Sequence, residues 1–193
     1  MGKKRDAIKH VERADIAVSR KAAEVKDTPT VKAMGAFGKL ADQPPLIAFC
    51  LGVTLAGLLR RRPDVAKAGG RMLAAHLLAT AGKAGVKRSV DRTRPHLLVE
   101  EGRYEAGKGE RNEGPYNSFP SGHTAGAVAV ARAMARDFPE AAGPAYAAAV
   151  AVAAVQVPRC NHFVSDTVGG ALIGWAAEAA SSGAAEKIKP ART

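Results

Sequence analysis

The sequence predicts an all-α protein: a helical bundle of about five apolar, membrane-spanning helices, preceded by amphipathic N-terminal helices. Three observations carry this expectation. Hydrophobic residues fill 47% of the 193 positions, and the excess is alanine, the strongest helix former. Aromatic residues are only 5%, and β-branched runs are short, which disfavours a sheet. After residue 45 the chain alternates between apolar stretches and short charged turns.

Residues 1–45 carry Ile8, Val11, Ile16, Val18, Ala22 and Val25 at rough helical spacing, with lysines and arginines between them. Asp27-Thr28-Pro29 marks a second helix start, with proline in the first turn. These helices read equally as surface helices of a bundle or as helices lying in a membrane interface. Leu46–Leu59 has no charge and stops at Arg60-Arg61-Arg62-Pro63. Met72–Val86 is apolar except for His76 and Lys83, and Gly122–Ala135 is small and apolar, with Arg132 inside. Ala141–Pro158 is uncharged, and Val164–Ala180 carries only Asp166 and Glu178. Residues 181–193 read as a polar tail.

Each stretch is at or below the roughly 20 residues that a bilayer crossing needs, and the mean hydropathy is slightly negative at −0.11. Against this, Gly122/Gly126 and Gly170/Gly174 are small-xxx-small pairs, and flanking charged side chains can extend a span by snorkelling. The expectation is therefore an integral protein of a bacterial inner or plasma membrane. Five crossings from Leu46 would bring residues 87–120 and 158–163 to the same side as residues 1–45.

The net charge of +11 allows nucleic acid, anionic lipid or an anionic substrate as partner. No nucleic-acid motif and no basic ribbon interleaved with aromatics is present, so a phosphorylated substrate and a bilayer are the expected partners. Cys50 and Cys160 read as free thiols, without the clustered ligands of a zinc site. No apolar signal-peptide core follows Met1-Gly2-Lys3-Lys4-Arg5.

Three short stretches carry chemistry. Lys87-Arg88-Ser89-Val90-Asp91-Arg92-Thr93-Arg94-Pro95 supplies a point charge and planar forks for phosphate oxygens. Alone, such a cluster at a helix end is more often a solvated feature. Pro120-Ser121-Gly122-His123 opens a strongly helical run, where backbone N–H groups favour an anion. The plain alternative is a serine N-cap with an incidental histidine. Arg159-Cys160-Asn161-His162-Phe163-Val164-Ser165-Asp166 places His162 and Asp166 four residues apart, neighbours if helical. A carboxylate that holds one imidazole nitrogen frees the other as a nucleophile. His76 reads as a core residue, and His96 as a possible border of the site.

The conjunction resembles the type 2 phosphatidic acid phosphatase (PAP2) family, which shares a site plan with bacterial nonspecific acid phosphatases and vanadium haloperoxidases. Its pattern is Lys-x6-Arg-Pro, then Pro-Ser-Gly-His, then Ser-Arg-x5-His-x3-Asp. The first two blocks match in full, and the third matches at His162 and Asp166. Six residues before His162 stands Gln156 rather than arginine, preceded by Val155 rather than serine. Arg159 is the arginine nearby. The resemblance covers residues 46–180 and implies a phosphatase core.

By that resemblance His162 is the nucleophile, Asp166 orients it, and His123 is the acid and then the base. Lys87, Arg94, Ser121, Gly122 and Arg159 hold the phosphate. No metal and no cofactor is implied. The expected function is hydrolysis of lipid phosphate monoesters or pyrophosphates through a phosphohistidine. The alternatives are a soluble nonspecific acid phosphatase with the same site, a vanadate-dependent haloperoxidase, and a non-catalytic membrane-surface protein with a decayed site.

Overall fold

The computed structural model describes residues 2–111 and 113–187. Eight α-helices, three single turns of 3-10 helix and one short strand pair make up the regular structure among these residues. In order they are α1 (Gly2–Ala23), α2 (Pro29–Gly38), α3 (Gln43–Leu59), α4 (Pro63–Lys87), β1 (Val90–Arg92), α5 (Pro95–Glu101), β2 (Ala106–Lys108), α6 (Gly122–Asp137), α7 (Ala142–Val155) and α8 (Val164–Lys187). The helix boundaries follow local chemistry. Thr28 caps α2 by accepting from the Val31 N–H at 3.4 Å, with Pro29 in the first turn. Prolines also open α3, α4 and α5, where a missing N–H costs nothing.

The bundle is built on α4, α6 and α8, which pack against one another, with α3 on α4 and α7 on α6. Small residues set this packing. A Cβ at Gly170 would strike the Ser121 carbonyl, and one at Gly174 would strike that of Ala125, so α8 lies backbone-close on α6. The core between them holds Cys50, Met72, Ala75, Ala79, Ala129, Ala133 and Ala177. Apart from Met72 it is filled mainly by small side chains, so close helix approach supplies much of its dispersion contact. Both cysteines are buried free thiols.

Two expectations need correction here. The five apolar stretches fall in α3, α4, α6, α7 and α8, but they are parts of an eight-helix bundle, not five membrane spans. Among the described residues no single helix is long and apolar enough to cross a membrane; only the bent pair Pro29–Ala41 with Gln43–Leu59, broken by 58°, passes jointly. The assignment to an integral membrane location falls with the spans. The physical reasons lie in the helices themselves. Helix α7 has 14 residues, so it extends about 21 Å against a hydrocarbon core of roughly 30 Å. Helix α4 begins with Asp64, Lys67 and Arg71, and α8 buries Glu178 against Arg132 and Arg136 of α6. Alanine-rich stretches are uncharged without being strongly hydrophobic.

The described residues of the polar connection 96–119 include α5, β2 paired antiparallel with β1, and a turn of 3-10 helix at Gly114–Tyr116. The tail expected over 181–193 is helical to Lys187, and residues 188–193 lie outside the described part.

Candidate active site

Four chain segments meet at one end of the bundle. They are the C-terminus of α4, the turn before α5, the N-terminus of α6, and the loop between α7 and α8. They enclose a cavity of about 350 Å³ lined by Lys83, Lys87, Arg94, Gly122, His123 and His162, with Asp42, Gln43 and Pro44 closing one side. Of the predicted site residues, Lys87, Arg94, Gly122, His123 and His162 therefore share one chamber. Ser121 sits behind it, fully buried, accepting from Thr124 N–H at 3.4 Å and Thr124 Oγ1 at 3.0 Å as the cap of α6. Its own N–H donates to the Asp166 carbonyl at 2.9 Å, which ties the two histidine-bearing segments together.

His162 is not on a helix; it lies two residues before α8. Asp166, in the first turn of α8, reaches back to accept from the Phe163 N–H at 2.8 Å, a capping contact that fixes the loop onto the helix. The His162 ring is 2% exposed as a residue, and Nδ1 lies 2.8 Å from the Ser118 carbonyl oxygen. A carbonyl can only accept, so Nδ1 carries the proton and Nε2 is the nitrogen left for the cavity. The Asp166 carboxylate is 3.7 Å from Nδ1, beyond hydrogen-bond range. The ring is thus oriented mainly by a backbone carbonyl, with Asp166 as a nearby charge. Burial pushes the His162 ring below the ordinary imidazole range, and Arg94 and Lys87 add to this, against the opposing pull of Asp166. A neutral ring with a free Nε2 is the nucleophilic form.

Asp166 is held on three sides. Arg92 Nη1 donates to Oδ1 at 2.7 Å, while Ser118 Oγ donates to Oδ2 at 2.5 Å alongside the Phe163 N–H. Burial would raise this carboxyl; His162, Arg92 and Ser118 outweigh it and hold it below the usual carboxylate range. Arg92 in turn donates to Asp15 of α1 at 2.7 Å, and it lies 4.2 Å over the Phe163 ring.

The cations are partly desolvated. Lys87 Nζ donates to the Asn117 carbonyl, and burial, reinforced by Arg94 and Lys83, pushes its pKa down to about 8. Arg94 donates to the Gly114 carbonyl at 3.0 Å and to the Asn161 carbonyl at 3.3 Å, which aims its fork into the chamber mouth. A Cβ at Gly122 would come within 2.8 Å of Lys83 Nζ, so glycine there lets an ammonium approach the start of α6. Among the described residues, no group of three His, Cys, Asp or Glu side chains is placed to hold a metal ion.

Residues 68–188 match the PAP2 superfamily. The chain belongs to the PAP2 superfamily. Its fold is similar to that of the transmembrane PAP2-type phosphatidylglycerolphosphate phosphatase from Bacillus subtilis, with a TM-score of 0.66 at 24% identity over 95% of this chain and 90% of that one. It is similar too to LpxE from Aquifex aeolicus, with a TM-score of 0.65 at 19% identity over 86% of this chain and 93% of that one. No curated protein sequence matches the chain.

Within this PAP2 chain, Arg159 is the predicted site residue that stands apart. Its guanidinium lies against Gly35 of α2, donating to the Gly35 carbonyl at 3.3 Å, and it lines a neighbouring cavity with Lys26, Lys32 and Lys39. Gln156, at the position where the family pattern has arginine, is fully buried and braces the loop instead. It donates to the Val152 carbonyl at 3.2 Å and accepts from Asn161 at 3.2 Å. Sequence reasoning missed four residues. Lys83 had a signal, since it interrupts an apolar stretch one helical turn before Lys87. Arg92 lay inside a quoted motif without a role. Asp15 and Asp42 had none, because their partners are distant in sequence.

Proposed function

We propose that this PAP2 chain is a phosphomonoesterase that works through a phosphohistidine on His162. The observation that carries this reading is the tautomer imposed on His162. Nδ1–H is committed to the Ser118 carbonyl, so Nε2 is the free nitrogen of a ring lining a chamber that also holds three cations and His123. In the first step Nε2 attacks phosphorus and the ester P–O bond breaks. The leaving oxygen keeps the electron pair and takes a proton from His123. In the second, water gives a proton to His123 as its oxygen attacks phosphorus. The N–P bond breaks, and its electron pair returns to His162. Lys83, Lys87 and Arg94 stabilise the charge on the equatorial oxygens, the contribution that dominates phosphoryl transfer. The positive charge comes from side chains, so no step requires a metal ion.

This reading needs no bilayer and fits an acid phosphatase with the PAP2 site plan. One observation favours a lipid phosphate among the possible substrates. An apolar cavity of about 200 Å³, lined by Phe37, Leu40, Leu46, Phe49, Met134 and Val152, shares Ala41 with the catalytic chamber. Its apolar lining suits a hydrocarbon tail, and the fold neighbour from Bacillus subtilis is a phosphatidylglycerolphosphate phosphatase. The test is phosphate release from p-nitrophenyl phosphate and from short- and long-chain alkyl phosphates. We expect His162→Ala to abolish release from all of them, EDTA to leave the rate unchanged and orthovanadate to compete. Near-normal turnover by His162→Ala would overturn the reading. A rate rising with chain length would select the lipid substrate over the nonspecific one.

A further inference from the structure

The catalytic chamber has a second histidine–carboxylate pair that the family motifs do not contain. Asp42 Oδ1 lies 2.6 Å from His123 Nε2. Asp42 belongs to the turn that precedes α3, outside the segment matching the PAP2 superfamily. Among the described residues it is the one carboxylate lining a chamber otherwise walled by Lys83, Lys87 and Arg94. A carboxylate in a phosphate-binding chamber works against anion binding, so its presence calls for a function.

The local structure argues that this function is not to build the fold. Asp42 occupies the N-cap position of α3, yet its side chain caps nothing there. Its side chain is nearly half exposed and makes its close contact with His123. The charged groups that act on His123 come from several elements: Lys83 of α4 and Asp42 of the turn before α3 within the chamber, and Arg159 of the loop after α7 through space from the neighbouring cavity. Burial, with the two cations, holds the His123 ring below the ordinary imidazole range, and Asp42 alone among these groups opposes that fall.

We infer that Asp42 is a positioning residue that orients His123 and favours its proton-bearing form for protonation of the leaving alcohol. This rests on the phosphohistidine reading, in which His123 serves as acid. An imidazolium carries two N–H groups. Asp42 accepts from one and restrains the ring, and the charged ring can give up a proton to the leaving oxygen as the P–O bond breaks. The chamber thus holds two histidines with different partners. His162 has its Nδ1 proton on a carbonyl, whereas His123 Nε2 rests on a carboxylate.

The leaving group makes this testable. p-Nitrophenolate departs without a proton, whereas an alkoxide requires one. In Asp42→Asn, kcat/KM for an alkyl phosphate should fall about 10- to 100-fold, while that for p-nitrophenyl phosphate should change less than about 3-fold. The alkaline limb of the alkyl phosphate profile should move to lower pH, because the His123 ring loses its proton more readily. In the free protein, the His123 ring followed by NMR should titrate at lower pH in Asp42→Asn than in the wild type. Asp42→Glu should restore part of the alkyl phosphate activity. Equal losses on both esters, or a fall in KM alone with both pH profiles unchanged, would overturn the inference and leave the phosphatase reading intact. A wild-type protein that hydrolyses neither ester would overturn the phosphatase reading itself.

Discussion

The bundle has two buried carboxylates on α8, at opposite ends, and they have similar partners. Asp166 accepts from Arg92 and Ser118; Glu178, fully buried as well, accepts from Arg132 at 2.5 Å, Arg136 at 2.7 Å and Ser182 at 2.6 Å. Twelve residues of helix separate them, about 18 Å. At Glu178 the charges close on themselves: burial would raise the carboxyl, and the two arginines and the serine outweigh it. At Asp166 the single arginine is shared with Asp15, and the next group outward is a histidine that faces a chamber. An arginine-bound buried carboxylate is therefore not itself a sign of catalysis. The sign is a neutral imidazole between that carboxylate and an open space walled by cations.

Substitutions at the two ends sharpen this difference. Asp166→Asn should lower kcat by about 10³-fold, because it alters the charge behind His162 and the anchor of its loop. Glu178→Gln should leave kcat of the folded protein unchanged. It should instead cost about 1–3 kcal/mol of stability, read by denaturant unfolding, because both arginines reach water and relieve part of the unpaired charge. A kcat loss at Glu178 comparable to that at Asp166 would break the comparison.

A smaller effect tests the chamber's cations. Lys87 loses its charge near pH 8. Phosphate binding should be full below that value and weaken above it, so KM should rise with pH through about 8 in a way that Lys87→Arg removes. Smallest of all is Arg159→Ala. Its side chain lines the neighbouring cavity rather than the chamber, so kcat/KM should fall less than about 3-fold, far below a direct phosphate ligand.

The parts of the site that were legible in the sequence sit at helix ends. Lys87, Arg94, His123 and His162 flank apolar stretches whose alternation carries them to one end of a bundle. Asp15 was not legible, because it meets Arg92 across 77 residues through a helix with a generic amphipathic pattern. Nor was the path of Arg159. Cys160 takes a left-handed backbone conformation, φ 54°, and the loop turns there, so spacing from His162 does not fix where Arg159 points. The membrane reading failed for a composition reason. Counting uncharged residues treats alanine like leucine, yet alanine and glycine here serve close packing, as Gly170 and Gly174 do on α6.

The central claim is covalent chemistry at His162 Nε2. Rapid acid-free quenching of the protein with a labelled phosphomonoester, followed by peptide mapping, tests it most directly. The account predicts one phosphoryl group, stable to base and labile to acid, on the peptide bearing His162 and absent from His162→Ala. Turnover with no enzyme-bound phosphate, or with phosphate on His123 instead, would contradict it.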